Sequence, residues 1–303
     1  MARFLARWGR AASQLATDLR VGGASPVARR FHRNCSTAIT ATGGPGGAAP
    51  AAAIATSSSP PNRLFNEQEV RLNSLFWSRP CSLSLPPNSP LRVAEPSFEG
   101  IKHIILKMML FYSKRSESIR RAKIVYRRIT SQVDKSAIYD AFHLEKTFKT
   151  TFSLLVLHMW LILHRLKEEG KDGTEFGQFL YEIYNHDLEL RVFKAGVNLL
   201  LTKWMKNLEK IFYGNLIAYD SAMVPDAKLD DLATSIWRNV FSEDGSRTSN
   251  DAAAAPVQAM ARYARRESTC LLLTDKEAIF TGNFMFTSLE NHQHKPVKMT
   301  NQS

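Results

Sequence analysis

Residues 150–170, TTFSLLVLHMWLILHRLKEEG, decide how this chain folds. Fifteen residues without a formal charge separate Lys149 from Arg165. At a rise of roughly 1.5 Å per residue they make a helix of about 22 Å. That is short of the about 20 apolar residues that a hydrocarbon slab about 30 Å thick demands, and His158 sits in the middle. A helix greasy on nearly every side but too short to span is a helix surrounded by other helices. His158 and His164 are six positions apart, which turns them about 240° from each other, so they cannot share a metal ion. The HExxH spacing that would pair two histidines on one face is absent. The stretch reads as the core helix of a water-soluble bundle, from Thr150 to Glu169, stopped by Gly170 and Gly173.

Working outward, the apolar spacing stays helical. Ile101, Ile104, Ile105, Met108 and Tyr112 recur at three and four positions, with Lys102, Lys107 and Lys114 off that face or at its edge. From Glu117, the residues Ile119, Ala122, Tyr126 and Ile129 make a second stripe, and Arg120, Arg121, Lys123, Arg127 and Arg128 make the other sides cationic. Downstream, Phe176 to Val192 predicts a fourth helix ending at the KAG of 194–196. Leu200 to Ala222 predicts a fifth, closed by Pro225, and 230–241 a shorter one capped by Asp230. A last helix is expected over 257–267. No convincing run of alternating strand residues occurs. The fold class is therefore all-α: a single irregular multi-helix bundle over 98–289.

The ends read differently. Residues 1–33 hold seven arginines, one acid (Asp18) and no lysine. With Phe4, Leu5, Trp8, Leu15 and Leu19 able to line one side of a helix, this fits a mitochondrial transit peptide, with a plastid address as the competing reading. Residues 34–97 are expected as a linker, first rich in Gly, Ala, Pro and Ser and then broken by Pro80, Pro86, Pro87, Pro90 and Pro96. Within it only LNSLFWS, 72–78, reads as a short docking helix, and Leu72 to Trp77 as a weak membrane rest. Residues 242–256 read as an insertion and 290–303 as a disordered tail.

Charge narrows the partners. The net charge of +12 and pI near 9.7 favour anionic partners such as nucleic acid, a phospholipid surface or an acidic protein. The excess is local, because residues 99–149 hold twelve Lys and Arg against five acids while 150–247 hold eleven against fourteen. Arg120, Arg121, Lys123, Arg127 and Arg128 are thus the candidate anion patch. Catalytic signals are weak. Cys35, Cys81 and Cys270 form no CxxC, GGPGG lacks the strand, helix and GK[ST] of a phosphate loop, and His186 beside Asp187 has no nucleophile in recognisable context. Asp187 and Arg191, four apart, read as a helix-surface ion pair.

LLVLHMWLILHRLKEEG at 154–170, IFYGNLIAYDSAM at 211–223 and LATSIWRNVF at 232–241, with a fainter PVQAMARYARRESTCLLL at 256–273, resemble the ubiquinol-cytochrome c chaperone family. The resemblance covers roughly Phe98 to Phe241. It implies an all-helical assembly factor for the respiratory cytochrome bc1 complex on the matrix side of the mitochondrial inner membrane, with peripheral membrane contact, no reaction and no cofactor. It also implies newly made cytochrome b as client, a small partner chaperone, and in some lineages the mitochondrial ribosome. On the family pattern the expected contacts to client or partner are His158, Trp160, Arg165, Lys167, Asp187, Arg191, Tyr219, Asp220, Trp237 and Arg238, although Tyr219 and Trp237 fall on core-like spacing. The alternative from another class is a ribosome-associated, RNA-interacting factor using the basic helices over 101–149.

Overall fold

The computed structural model describes residues 72–94, 98–108, 110–197, 200–242 and 254–290. The transit-peptide expectation, the linker before residue 72, most of the insertion and the tail beyond Glu290 lie outside the described residues. A short helix α1 (72–77) is followed by α2 (Ile101–Met108), α3 (Lys114–Val133), α4 (Ser136–Ala141) and α5 (Phe148–Lys167). Then come α6 (Gly170–Lys194), α7 (Leu201–Ser221) and α8 (Asp231–Ile236), which runs on into a π-helical turn, Trp237–Phe241. α9 (Ala255–Leu272) and α10 (Lys276–Thr281) complete the order.

α5 begins on a capping box in which the Thr147 side chain accepts from the Thr150 amide and the Thr150 side chain accepts from the Thr147 amide. It then runs through the middle of the molecule, packed on α3, α6, α7 and α9. Every residue from Phe152 to Leu163 is buried. Among the described residues no helix is long and apolar enough to cross a membrane.

Gly170 and Gly173 do not leave a loop. Gly170, in the left-handed region at φ +56°, opens α6, and Gly173 lies in its first turn. A Cβ on Gly173 would stand 1.9 Å from the Leu166 carbonyl oxygen, so this glycine lets α6 fold back tightly on the last turn of α5. Helix α6 therefore starts about two turns earlier than its apolar stripe alone suggests.

Two further expectations are corrected. Residues 79–94, read as linker, are part of the bundle, and the docking helix read at 72–78 forms as α1. Leu72 and Phe76 are buried in the core, with the Phe76 ring stacked on Phe142 at 5.8 Å. Prolines stop helix propagation here without preventing docking, because the extended chain after α1 finds partners elsewhere. Leu85 N–H donates to Asn283 O (2.9 Å), Met285 N–H to Leu83 O (3.1 Å), Leu83 N–H to Thr274 Oγ1 (2.9 Å) and Val93 N–H to Asn283 Oδ1 (2.9 Å). The membrane rest read at Leu72 to Trp77 thus turns inward, except for Trp77, whose exposed ring faces the Arg262 guanidinium at 5.4 Å. The second correction is α2. Its stripe does not face the core: Ile101, Ile104, Ile105 and Met108 are 76, 60, 51 and 81 % exposed.

Candidate functional site

The candidate residues fall into separate clusters, and the largest is a polar seam between α5 and α7. Trp160, His164 and Lys167 stand four and then three residues apart, on one face of α5. All three reach Asp220, near the end of α7. Trp160 Nε1–H donates to Asp220 Oδ1 (2.9 Å), His164 Nδ1 lies 3.3 Å from the same oxygen, and Lys167 Nζ donates to Oδ2 at 2.6 Å. Burial works to raise the Asp220 carboxyl, but the bonds from His164, Lys167 and Trp160 outweigh it and hold the group below the usual carboxylate range. The Trp160 ring packs on Tyr219 at 5.3 Å. Burial pushes the Tyr219 phenol up to about 12, with Asn239 and the Arg238 charge acting the other way.

That last contact ties the seam to the π-turn. Trp237 is buried there, Ser242 N–H closes the turn on the Trp237 carbonyl at 2.7 Å, and Arg238 Nε–H donates to Asn239 Oδ1 at 3.4 Å. α5 holds this turn from the other side: Ser153 Oγ donates to the Asn239 carbonyl (2.7 Å) and the Lys149 ammonium to the Ser242 carbonyl. Thus Trp160, Lys167, Tyr219, Asp220 and Arg238 come together, with Lys167 and Asp220 at the wet edge and the aromatic rings inside.

His158 and Arg165 leave α5 on a different side. In the hydrogen-bond pattern that suits a neutral ring, His158 Nδ1–H donates to the Leu154 carbonyl (2.8 Å) and Nε2 accepts from the Tyr263 hydroxyl (2.9 Å). The ring is wholly buried, with Phe286 edge-on at 5.0 Å, and burial lowers its pKa to about 4. Arg165 closes the C-terminus of α9. Its Nε–H donates to the Leu271 carbonyl (2.9 Å) and its Nη2 to the Thr274 carbonyl (3.3 Å), while Nη1 pairs with Glu169 at 2.8 Å. A guanidinium at that end satisfies orphan carbonyls and meets the negative pole of the helix.

Asp187 and Arg191, on α6, form a third cluster with α3. Tyr126 Oη donates to Asp187 Oδ2 (2.7 Å), Arg191 Nε–H donates to the same oxygen (2.6 Å), and the two Nη groups grip Asp134 at 2.9 and 3.0 Å. Hydrogen bonding to Asp134 holds the Arg191 pKa above its ordinary value, and burial beside Asp187 raises the Tyr126 phenol. The helix-surface pair of the sequence is therefore half of a clamp between α3 and α6.

The cationic face of α3 is also partly spent inside the molecule. Arg128 donates to Gly282 O (2.8 Å) and Leu91 O (2.6 Å), Arg120 donates to Phe111 O (2.7 Å) and covers the Phe111 ring at 4.0 Å, and Arg121 pairs with Glu117 at 2.5 Å. Lys123 and Arg127 are the exposed members of the five.

Sequence reasoning missed one network entirely. Glu267, fully buried on α9, accepts from Thr287 N–H (3.1 Å), the Thr287 hydroxyl and Arg266 Nη1 (3.2 Å), and burial pushes its carboxyl up. Gln132 Nε2 donates to the Thr287 carbonyl at 2.9 Å and to the Tyr263 hydroxyl at 3.3 Å. The clue was available in ARYARRES, where Glu267 falls on the same helical stripe as the apolar Tyr263 and Ala264. No group of three or more His, Cys, Asp or Glu side chains among the described residues is placed to hold a metal ion.

Fold and site together define an all-α domain whose polar side chains knit helix to helix. Residues 140–287 match the family described as Ubiquinol-cytochrome C chaperone, and the resemblance carried by the α5, α7, α8 and α9 blocks is thereby borne out. The chain is 30 % identical over 179 residues to ubiquinol-cytochrome c reductase complex assembly factor 1 of Homo sapiens, spanning 57 % of this chain and 58 % of that protein. It is 28 % identical over 152 residues to Protein CBP3, mitochondrial, of Saccharomyces cerevisiae, spanning 49 % of this chain and 43 % of that protein. The crystal structure of the Cbp3 homolog from Brucella abortus is 24 % identical, covers 60 % of this chain and 97 % of its own, and superposes with a TM-score of 0.49.

Proposed function

We propose that this chain is an assembly chaperone of the mitochondrial cytochrome bc1 complex. In this reading it binds newly synthesised cytochrome b together with a small partner chaperone, on the matrix side of the inner membrane and in peripheral contact with it. The observation that carries the reading is the family match over 140–287, supported by relatives named as assembly factors of the ubiquinol-cytochrome c reductase complex. It performs no reaction. A nascent membrane protein exposes apolar helix surface that must be shielded until its neighbours arrive, and a helical body held in shape by buried polar clamps suits that task. Within the expected contact set, Lys167, Asp220 and Arg238 at the seam and Arg191 beside Asp187 reach solvent and form the client or partner surface. His158, Trp160, Arg165, Tyr219 and Trp237 act from inside by fixing the helices that present it.

The test is affinity capture of the tagged chain from mitochondria during organellar translation, with crosslinking. Newly labelled cytochrome b crosslinked to the chain is the expected result. Its absence, or normal levels of assembled bc1 complex after depletion of the chain, overturns the reading. The RNA-interacting alternative must work with fewer cations than the sequence promised, since Arg120, Arg121 and Arg128 are engaged within the protein. It requires ribosome binding that falls steeply with salt.

A further inference from the structure

We propose that α2 is an interfacial helix that seats the protein on an anionic phospholipid surface. The other long helices turn their apolar stripes into the core, whereas Ile101, Ile104, Ile105 and Met108 point theirs outward, each more than half exposed. At 100° per residue those four positions occupy an arc of about 100°, the width of the buried stripe on an ordinary core-facing helix. Among the described residues no helix packs extensively against α2.

The helix is held mainly at its ends. Gly100, in the left-handed region at φ +67°, precedes it, and Leu110 at φ +56° follows it. A bonded turn then leads to α3, with Leu110 N–H on the Lys107 carbonyl (3.1 Å) and Ser113 N–H on the Leu110 carbonyl (3.0 Å). At this corner the Phe98 ring meets Phe111 edge-on at 6.0 Å, and Phe111 lies under Arg120. The aromatic corner anchors α2 to the bundle and leaves its apolar arc bare.

Charge selects the occupant. Residues 98–128 carry nine Lys and Arg against two acids, and Lys107, Lys114, Arg115, Lys123 and Arg127 are exposed. Such a surround has an electrostatic partner in phosphate headgroups and none in an apolar nascent segment. A second copy would bring like charge against like. A single helix also offers a ridge rather than the two-walled groove that holds a partner helix. Eight residues make about 12 Å of helix, far too short to span and suited to lying in the interface with its apolar arc among the acyl chains. One short helix binds a bilayer weakly by itself, and the neighbouring cations supply the second signal.

This deepens the peripheral membrane contact proposed above and rests on it. The two readings fail separately, because client capture is scored in mitochondria and lipid binding on purified protein. The experiment is co-flotation of the full chain with vesicles of phosphatidylcholine alone or mixed with phosphatidylglycerol. The wild type is expected to float with the anionic vesicles, on the order of tenfold less with the neutral ones, and less as salt rises. The triple variant Ile104→Ser, Ile105→Ser, Met108→Ser is expected to lose binding by on the order of a hundredfold, with unchanged melting because these side chains leave the core untouched. The proposal is overturned if the triple variant floats as well as wild type, or if wild type floats with neither vesicle or equally with both. It is also overturned if the triple variant converts a dimer to a monomer, or floats normally while losing cytochrome b capture.

Discussion

His158 offers a quantitative test of the buried core because its partners fix its protonation state. The ring has no exposure, lies against Tyr263 and Phe286, and is held neutral with its pKa lowered to about 4. In the unfolded chain a histidine titrates near 6.5, so between pH 6.5 and 4 the unfolded state binds a proton that the folded state refuses. Stability therefore rises with pH across that window. The separation of about 2.5 pH units corresponds to about 3 kcal/mol in full, of which about 2 kcal/mol is already lost at pH 5. The perturbation is His158→Gln, whose side-chain carbonyl can still accept from Tyr263 but cannot titrate. Urea unfolding followed by circular dichroism at pH 7.5, 6.0 and 5.0 supplies the free energies. Carboxylates that titrate over these pH values contribute to both proteins and cancel in the comparison. The variant is expected to be less stable than wild type at pH 7.5, from imperfect packing, and to close about 2 kcal/mol of that gap by pH 5. A constant gap across the three pH values would show that His158 does not titrate between its folded and unfolded states and would refute the reasoning.

Two other clamps and one glycine carry sharper single-point expectations. Asp220→Asn removes the charge that Lys167 and His164 approach and is expected to cost about 1–3 kcal/mol at pH 7 in urea melts. Because the folded carboxyl is held low, that cost should be present above its unfolded pKa and vanish as pH falls through the folded one. Arg165→Met removes the guanidinium from the Leu271 and Thr274 carbonyls and one of the two cations on Glu169, which keeps Lys276, and should cost about 3 kcal/mol, read as a fall in thermal midpoint. Gly282→Ala places a Cβ 2.6 Å from Ile124 Cγ2 at φ +71° and should cost about 2 kcal/mol or more, where the same change at the open Gly214 should cost nothing or stabilise slightly.

Periodicity located α3, α5, α6 and α7 well because each buries the stripe its spacing describes. What it did not convey was where polar side chains go. Trp160, His164 and Lys167 share a face of α5 by arithmetic alone, but their convergence on Asp220 depends on α7 packing there, and nothing local to either helix encodes that contact. Arg165 shows the same limit, since its partners are carbonyls more than a hundred residues away, and carbonyls leave no trace in a side-chain pattern. Prolines misled in the opposite direction over 80–90. Proline forbids the helix but not the extended strap that Leu83, Leu85 and Val93 make against Thr274 and Asn283.

The misreading of α2 bears most directly on function. An apolar arc at helical spacing states only that one side of a helix is better off out of water, and a protein core is one of several ways to achieve that. For α5 the surrounding sequence settles the matter, because a helix apolar all round needs neighbours on every side. For α2 the neighbours are lysines and arginines, α3 caps itself on Ser113, and no described side chain of α2 is among the buried core residues. A face of this hydrophobicity, left bare by the described residues, fits the lipid partner proposed above. The basic excess of the first helices and the bare arc of α2 are then one feature, with charge drawing the protein to a surface and the apolar residues holding it there.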